Sequence, residues 1–278
     1  MKIDTLFLSG CGTKGSAFIG SLKYLYDKDI LKNIKRYVCV SGSSIICILL
    51  CCGYNINTIY HINDRINYTD LIDLDDLNEI FNNQGLFLND KIGDLIDTIL
   101  YKKYSIRNMT LKVFYDKCKI HYICKVYNLS KKSEEYYCYQ TNPDLKVSTL
   151  IKMTTCIPFF FKPIQYNNDY YVDGGILCMM PFIEKYKNYL GIYIKENKEY
   201  NIDNMNIFDY YLYINSCLTQ KYKIDMDKLD KSRMIYIYTK HIPCIDFDIC
   251  KDDKIHMLKD GYIQTQKHIE KYNLINKL

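Results

Sequence analysis

The sequence predicts an α/β protein, and the hydrophobic pattern leads to this prediction. Short apolar runs typical of buried strands, such as Ile3–Ser9 and Tyr37–Val40, are followed by turns and then by longer stretches typical of helices. The alternation continues along the chain without an internal repeat, a low-complexity run or a clear linker. Alternating strands and helices favour one α/β domain over residues 1–278 rather than two segregated domains.

Composition limits the class of protein. The 278 residues are 48% hydrophobic and 25% charged, which allows a sizeable core and argues against wholesale disorder. A net charge of +5 is too mild to predict a nucleic-acid partner. The 13 cysteines show no Cys-x-x-Cys spacing, so we expect free thiols in a reducing compartment rather than a zinc site. No apolar run is long enough to span a bilayer, so we expect a cytoplasmic protein, at most peripheral at membranes.

The first element is the strand Ile3–Ser9, which is followed by a glycine loop and by a helix over Ala17–Tyr26. The loop reads Gly10-Cys11-Gly12-Thr13-Lys14-Gly15 and literally matches the dinucleotide-binding pattern Gly-x-Gly-x-x-Gly. A nicotinamide site would require an acidic residue after the second strand, and Val40-Ser41 supplies none. The alternative use of such a loop is to present backbone N–H groups to an oxyanion, with Lys14 adding positive charge.

The second element is a strand over Tyr37–Val40, a tight turn over Ser41–Ser44 and a buried helix over Ile45–Cys52. A strand, a sharp turn and a helix are the context of a nucleophile elbow, in which the helix N-terminus stabilises negative charge. Ser44 lies two residues after Gly42, as in Gly-x-Ser. We therefore predict that Ser44, rather than Ser41 or Ser43, is the nucleophile.

The middle of the chain predicts further helices and strands before a third motif. We expect helices over Asp90–Tyr101, Leu111–Cys118 and Leu150–Thr155, and strands over Tyr122–Leu129, Glu135–Gln140 and Tyr170–Val172. The run Phe159-Phe160-Phe161 is expected to be core rather than a lipid-facing lip. The last strand ends in Asp173-Gly174-Gly175, which in isolation indicates a hairpin turn.

Together the three segments resemble the patatin-like phospholipases. That family has Gly-Gly-Gly-x-Arg/Lys-Gly, Gly-x-Ser-x-Gly and Asp-Gly-Gly/Ala in this order. The corresponding segments here are Gly10–Gly15, Gly42–Ile46 and Asp173–Gly175. The approach to the third motif, Thr154–Pro163, is also similar, as are Ile245–Phe247 and Gly261-Tyr262 near the end. The resemblance thus covers nearly the whole chain.

The resemblance implies a three-layer α/β/α fold with a mostly parallel central sheet. It also implies hydrolysis of fatty acyl esters by a Ser–Asp dyad without histidine, metal or cofactor. Ser44 would be the nucleophile and Asp173 the general base. Gly42, Gly174 and Gly175 would support the elbow and the base loop. The oxyanion amides would come from the glycine loop, which comprises Gly10, Cys11, Gly12, Thr13, Lys14 and Gly15. The implied substrates are phospholipids or lysophospholipids at a peripheral membrane surface, with basic residues in support: Lys185, Lys187, Lys195 and Lys198. The sequence indicates no oligomeric state.

Three departures from the family pattern keep a second interpretation open. Cys11 replaces the middle glycine of the loop and limits its backbone torsions. Ile46 replaces the glycine after the nucleophile and is expected to push the helix outward. Met180 precedes Pro181 where the family often has asparagine. A degenerate, weakly active or inactive lipid-binding or regulatory protein on the same fold would also fit these residues.

A third interpretation is an α/β-hydrolase with a Ser–Asp–His triad. The chain order permits Ser44, Asp173 and a later His241, His256 or His268. The early position of the serine and the glycine loop after the first strand argue against it.

Overall fold

A computed structural model describes residues 3–74, 84–196, 207–218, 229–239 and 245–274. Within these ranges the strands are β1 (Thr5–Leu8), β2 (Arg36–Val40), β3 (Asp73–Leu74), β4 (Gly85–Leu88), β5 (His121–Asn128), β6 (Ser133–Tyr137), β7 (Phe159–Phe161), β8 (Ile164–Tyr166), β9 (Asp169–Asp173), β10 (Tyr189–Glu196) and β11 (Met234–Thr239). The α-helices are α1 (Gly15–Asp27), α2 (Ser43–Cys51), α3 (Ile56–Arg65), α4 (Asp90–Tyr104), α5 (Leu111–Cys118), α6 (Val147–Thr154), α7 (Ile207–Leu218) and α8 (Lys251–Lys271).

The central sheet is mixed but mostly parallel, with helices on both sides, which confirms the predicted α/β fold class. Its strand order is β11-β10-β1-β2-β5-β9-β8, and β6 pairs with β5. The strands from β11 to β5 are parallel to their neighbours, whereas β6, β8 and β9 pair antiparallel. Because the first strands are parallel, the loops after β1 and β2 leave the same edge of the sheet.

The apolar residues of the strands alternate between two cores, as the period of a β-strand requires. Leu6 and Leu8 of β1 belong to the large core that includes residues of α1, α2, α4, α6 and α8. Phe7, between them, faces a smaller cluster on the other side, which is formed with Val38, Ile123 and the segment from Cys178 to Tyr189. Burial on both faces explains why β1 and β2 are continuous apolar runs in the sequence.

The register of β5 brings the ends of two other strands together. Cys124 and Lys125 pair with β2 and also with β6, while Val126 to Asn128 pair with β9 and also with β6. Since β6 occupies one edge of β5 throughout, β2 and β9 must share the other edge. Val40 at the end of β2 pairs with Lys125, and Asp173 at the end of β9 pairs with the next residue, Val126. The two strand ends therefore meet.

A second, three-stranded sheet follows the order β3-β4-β7. In β7, Phe160 and Phe161 are buried, and Phe160 stacks on Phe247 with ring centroids 4.8 Å apart. Phe159 instead has 64% of its surface exposed, with a left-handed φ of +64°. The prediction that all three phenylalanines are core is therefore wrong for Phe159, where the backbone departs from the extended strand conformation, whereas Phe160 and Phe161 belong to the large core.

Across the described ranges, no helix is both long and apolar enough to cross a membrane.

Candidate active site

The turn between β2 and α2 has the geometry of a nucleophile elbow, with Ser41 at its apex. Ser41 directly follows the last residue of β2 and has a left-handed φ of +57°, and α2 begins two residues later at Ser43. A left-handed conformation is costly for a residue other than glycine, and such conformations cluster at functional sites. The tight turn directs the Ser41 side chain away from the strand and the helix.

Ser41 and Asp173 form a buried hydrogen-bonded pair. The Ser41 hydroxyl donates to Asp173 Oδ2 at 2.6 Å. The other carboxylate oxygen, Oδ1, accepts the N–H of Gly175 at 2.7 Å, so both oxygens of Asp173 have donors. The two residues are only 4% and 5% exposed. The pair thus has a hydroxyl within direct proton-transfer distance of a carboxylate.

The structure does not bring Ser44 to Asp173. Ser44 lies in the first turn of α2, is completely buried, and its hydroxyl donates to the Ser41 carbonyl at 2.5 Å. The Ser43 hydroxyl donates to the Val40 carbonyl at 2.9 Å. The expectation that Ser44 would lie against Asp173 is therefore wrong, because Ser44 is already one residue inside the helix. The signal for Ser41 is its position immediately after the apolar strand.

The change of serine also removes the difficulty predicted for Ile46. Counted from Ser41, the residue two positions later is Ser43, a small side chain that fits at the start of α2. Ile46 is buried one turn further on, where its Cδ1 approaches Gly15 of α1. The helix is not displaced from the elbow, since Ser44 N–H donates to the Ser41 carbonyl at 2.9 Å.

Thr154 at the end of α6 fixes the backbone of the elbow. Its hydroxyl oxygen accepts the N–H of Ser41 at 2.8 Å and donates to the carbonyl of Lys125 at 2.7 Å. Thr154 is completely buried, so both bonds are shielded from water. This role of Thr154 depends on where α6 packs and therefore has no signal in the local sequence.

The loop that follows Asp173 at the end of β9 packs against β5, the strand that also contains the carbonyl bonded by Thr154. Gly174 packs so closely on β5 that an added Cβ would lie 2.4 Å from the Lys125 carbonyl oxygen. Asp173 N–H donates to the Cys156 carbonyl at 2.8 Å. Only glycine therefore fits at position 174. The backbone of Asp173 is fixed by its bond to Cys156 before the loop and by the packing of Gly174 on β5 after it.

Burial raises the pKa of the Asp173 carboxyl to about 6, from an ordinary value of 3.8. The hydrogen bonds from Ser41 and Gly175, and the positive charge of Lys125, act in the opposite direction and limit the rise. A carboxyl with this pKa is a stronger base than an exposed aspartate and is still mostly ionised at pH 7.

The glycine loop after β1 lies directly against the elbow. An added Cβ on Gly42 would lie 2.5 Å from the Gly12 carbonyl oxygen and 3.0 Å from Cys11 Sγ, so only glycine fits at 42. Gly12 has a left-handed φ of +52°. In the described part of the chain, the N–H groups of Gly12 and Gly42 donate to no other group. These two amides are available for an oxyanion.

Other members of the loop have structural partners. Gly10 N–H donates to the Met179 carbonyl at 2.9 Å, and Lys14 N–H donates to the Cys11 carbonyl at 2.9 Å. These two amides therefore cannot serve as oxyanion donors in this geometry, contrary to expectation. The Thr13 hydroxyl accepts Asp246 N–H at 3.1 Å.

The residues at the remaining positions of the glycine loop are buried. The Lys14 side chain is almost completely buried, as is that of Cys11, and Gly15 is the first residue of α1. The side chain of Met179 packs against both Gly10 and Gly175, a contact that the sequence did not reveal. Met180, in contrast, is buried in the smaller core cluster.

Helix α7 lies beside the dyad and exposes an apolar face. Asn215 Nδ2 donates to the Ile176 carbonyl at 2.7 Å, three residues after Asp173. Tyr211 packs edge-on against Phe159, with ring centroids 5.0 Å apart. Burial, with a smaller effect of the Asp173 charge, raises the pKa of Tyr211 to about 12. Among the described side chains of the helix, three exposed large apolar residues follow the spacing of one face, namely Tyr210, Ile214 and Leu218, and Cys217 is exposed next to the last of them.

No histidine within the described ranges contacts Ser41 or Asp173. His121 lies at the start of β5, where Nε2 is 3.2 Å from the Tyr139 hydroxyl, and His268 Nε2 is 2.8 Å from the Ser232 carbonyl. His61 and His256 lie on α3 and α8. His241 lies outside the described residues.

The basic residues expected at a membrane lie at different ends of the molecule. Lys185 and Lys187 flank Tyr186, whose ring lies under Arg36 at the start of β2, so they are at the edge opposite the dyad. Lys195, near the end of β10, is at the same edge as the dyad. Lys198 lies outside the described residues.

The sequence and the fold are both similar to those of known proteins. The family model described as patatin-like phospholipase matches residues 6–184. A probable lipid hydrolase, 463L of Invertebrate iridescent virus 6, is 33% identical over 181 residues, which are 64% of this chain and 61% of that protein. The chain thus spans less than two thirds of that relative. The uncharacterized protein R571 of Acanthamoeba polyphaga mimivirus is 26% identical over 99% of this chain and 96% of its own length.

Solved structures show the same fold. VipD from Legionella pneumophila aligns with a TM-score of 0.70 and 17% identity, over 98% of this chain and 67% of that chain. The type III effector ExoU aligns with a TM-score of 0.54 and 12% identity, over 99% of this chain and 54% of that chain. Since the family match covers more than half of the residues and includes the elbow, the glycine loop and Asp173, the chain belongs to the patatin-like phospholipase family.

Proposed function

We propose that the protein hydrolyses fatty acyl esters of phospholipids or lysophospholipids, with Ser41 as nucleophile and Asp173 as general base. The observation that carries the proposal is the 2.6 Å hydrogen bond from the Ser41 hydroxyl to Asp173 Oδ2, at the elbow of a patatin-family chain. A serine hydroxyl is a weak nucleophile until a base takes its proton, and Asp173 is the base within reach.

In the first half of the reaction, Ser41 Oγ attacks the ester carbonyl carbon as its proton moves to Asp173 Oδ2. The carbonyl oxygen becomes an oxyanion, for which the N–H groups of Gly12 and Gly42 are the donors. The oxyanion then collapses, the bond to the alcohol breaks, and Asp173 returns the proton to the departing alcohol oxygen. The product of this half is an acyl ester on Ser41 and a free lysolipid or glycerol-phosphate alcohol.

In the second half, a water molecule replaces the alcohol. Asp173 takes a proton from the water as its oxygen attacks the acyl carbon, and the same amides stabilise the second oxyanion. Collapse releases the fatty acid and returns the proton to Ser41 Oγ. One carboxylate thus acts as base and then as acid in each half, which requires neither histidine nor metal.

The lipid surface is the partner that the outside of the site fits. Phe159, Tyr210, Ile214 and Leu218 are between 38% and 71% exposed on elements that pack beside Asp173. We define these four residues as the apolar rim. The described sequence of α7 contains a single charged residue, Asp209, and Lys195 lies at the same edge of the sheet. Exposed aromatic and aliphatic side chains at an edge that also carries a basic residue suit an acyl-chain and headgroup boundary.

The nucleophile is tested by a matched pair of serine variants. An active-site fluorophosphonate should label the wild type and Ser44→Ala, but not Ser41→Ala, and release of fatty acid from phosphatidylcholine vesicles should follow the labelling. Loss of labelling in Ser44→Ala with full labelling of Ser41→Ala would restore Ser44 as the nucleophile.

The substrate class is tested by a panel of phospholipid, lysophospholipid and triacylglycerol. We expect the first two to be cleaved faster than triacylglycerol by wild-type protein, with no turnover by Ser41→Ala. A folded wild type that binds these lipids but cleaves none would instead support the lipid-binding interpretation.

A further inference from the structure

We infer that Lys125 is a positioning residue that joins the nucleophile turn to the base loop and stabilises the Asp173 carboxylate, with Glu134 balancing its charge. The inference rests on the proposed function. Lys125 is in the middle of β5, and its side chain is 1% exposed. A buried ammonium group is costly unless it is paired, so its partners define what it does.

Lys125 is connected to both members of the dyad. Its carbonyl oxygen accepts the Thr154 hydroxyl at 2.7 Å, and the Thr154 oxygen accepts the N–H of Ser41 at 2.8 Å. Its ammonium group donates to the carbonyl of Cys178 at 2.8 Å, five residues after Asp173. One residue therefore fixes the backbone on which Ser41 is mounted and the loop that follows Asp173.

The positive charge of the ammonium group also favours the ionised form of the Asp173 carboxyl. The groups that influence Asp173 are the Ser41 hydroxyl, the Gly175 N–H and Lys125, and in turn the charge of Asp173 affects Cys156 and Tyr211. Among these groups only Lys125 is cationic. Because the site is buried, its field is weakly screened by water and salt.

Glu134 neutralises part of the positive charge of Lys125. It lies on β6, forms a salt bridge with Lys125, and is 31% exposed. Because its carboxylate lies against the ammonium group, we expect its negative charge to offset part of the effect of Lys125 on Asp173. Removing Lys125 and removing Glu134 should thus affect the base in opposite directions, which a purely structural role for the salt bridge does not predict.

The test compares Lys125→Met, Glu134→Gln and Lys125→Arg by the pH dependence of kcat/KM on p-nitrophenyl butyrate, a water-soluble ester. Since Asp173 must be ionised to act as base, kcat/KM rises with pH through the pKa of Asp173. We expect the midpoint of this limb to rise by roughly half a pH unit in Lys125→Met and to fall by a similar amount in Glu134→Gln. Lys125→Arg should keep the wild-type midpoint, even where kcat falls.

The outcomes separate this inference from the proposed function. Midpoints that move in the same direction, or that stay at the wild-type value in both Lys125→Met and Glu134→Gln, would overturn the role of Lys125. If Lys125→Met fails to fold, the other two variants still test the role of Lys125. It is supported by a lower midpoint in Glu134→Gln together with a wild-type midpoint in Lys125→Arg. Full turnover by Asp173→Asn would instead refute the proposed function itself.

Discussion

The Ser41 hydroxyl lies 2.6 Å from Asp173 Oδ2 although 132 residues separate them in the chain. Consecutive residues of one strand, Lys125 and Val126, create this proximity because they pair with the ends of β2 and β9. The site is thus formed by the register of the sheet rather than by flexible loops, and this has measurable consequences.

The pH dependence of hydrolysis should follow Asp173. Burial raises the pKa of its carboxyl to about 6, so kcat/KM on a water-soluble ester should fall as pH is lowered through that value. The measurement is a pH–rate profile from pH 4.5 to 9, with folding checked by circular dichroism at each pH. If the midpoint of kcat/KM lies near pH 4, the ordinary pKa of aspartate, the buried Asp173 carboxyl is not the group that acts as base.

Replacement of Asp173 should abolish activity and increase stability. The pKa of the Asp173 carboxyl rises from 3.8 to about 6 on folding, so its ionisation lowers the free energy of unfolding. This destabilisation is absent below about pH 4 and complete above about pH 6, where it amounts to about 3 kcal/mol. Asp173→Asn should therefore be inactive and, at pH 8, unfold at a higher temperature than the wild type, with a smaller difference at pH 4.

The histidine variants are the controls for Asp173→Asn. His61→Ala, His121→Ala, His241→Ala, His256→Ala and His268→Ala should each retain most of the wild-type turnover. A folded histidine variant that is as inactive as Ser41→Ala would replace the dyad by a triad.

Thr154 should be required for an accurate elbow. In Thr154→Val the Ser41 N–H and the Lys125 carbonyl both lose a buried partner, which costs about 1–3 kcal/mol for each unsatisfied group. We expect kcat to fall at least about tenfold with little change in KM. Thr155→Val is the matched control, because the Thr155 hydroxyl donates to the carbonyl of Ile151 in the preceding helix rather than to the elbow. Equal losses in the two variants would show that the effect is general to α6.

The apolar rim should govern binding to lipid vesicles. Phe159→Ser and Leu218→Ser each remove a large exposed side chain whose burial in lipid contributes about 1.5–3 kcal/mol. In a Ser41→Ala background, co-sedimentation with phosphatidylcholine vesicles should weaken at least tenfold, whereas in active protein the turnover of a soluble ester should be unchanged. Ile263→Ser, on α8, alters a comparably exposed side chain and should bind as before. Indifference of all three variants would place the lipid contact elsewhere.

The sequence was sufficient to predict which segments meet, but not which of their atoms do. Alternating apolar runs predicted the strands that end at Val40 and Asp173, because hydrophobic periodicity is a local property. Ser44 was chosen by counting from a glycine, whereas the structure requires the residue directly after the strand. The left-handed φ of Ser41 and the start of α2 at Ser43 decide this, and neither is a property of residue type.

The remaining differences arise from partners that are distant in the chain. Gly10 was expected to donate to an oxyanion. Its N–H group instead donates to the carbonyl of Met179, which lies 169 positions later in the chain. Thr154 and Lys125 were not singled out, since their roles depend on the alignment of α6 and β5 with the elbow. The burial of Phe160 and Phe161 beside the exposed Phe159 likewise depends on a distant partner, since both rings contact Phe247.

The junction of Lys125 with Val126 determines how the chain tolerates length changes. One residue inserted there would shift the end of β9 along β5 by about 3.3 Å, which is more than the 2.6 Å between Ser41 Oγ and Asp173 Oδ2. It would also reverse the faces of the following side chains. An insertion in the turn between β5 and β6 changes neither pairing. Related chains of different length should therefore differ in that turn and keep an unbroken count of residues through β5.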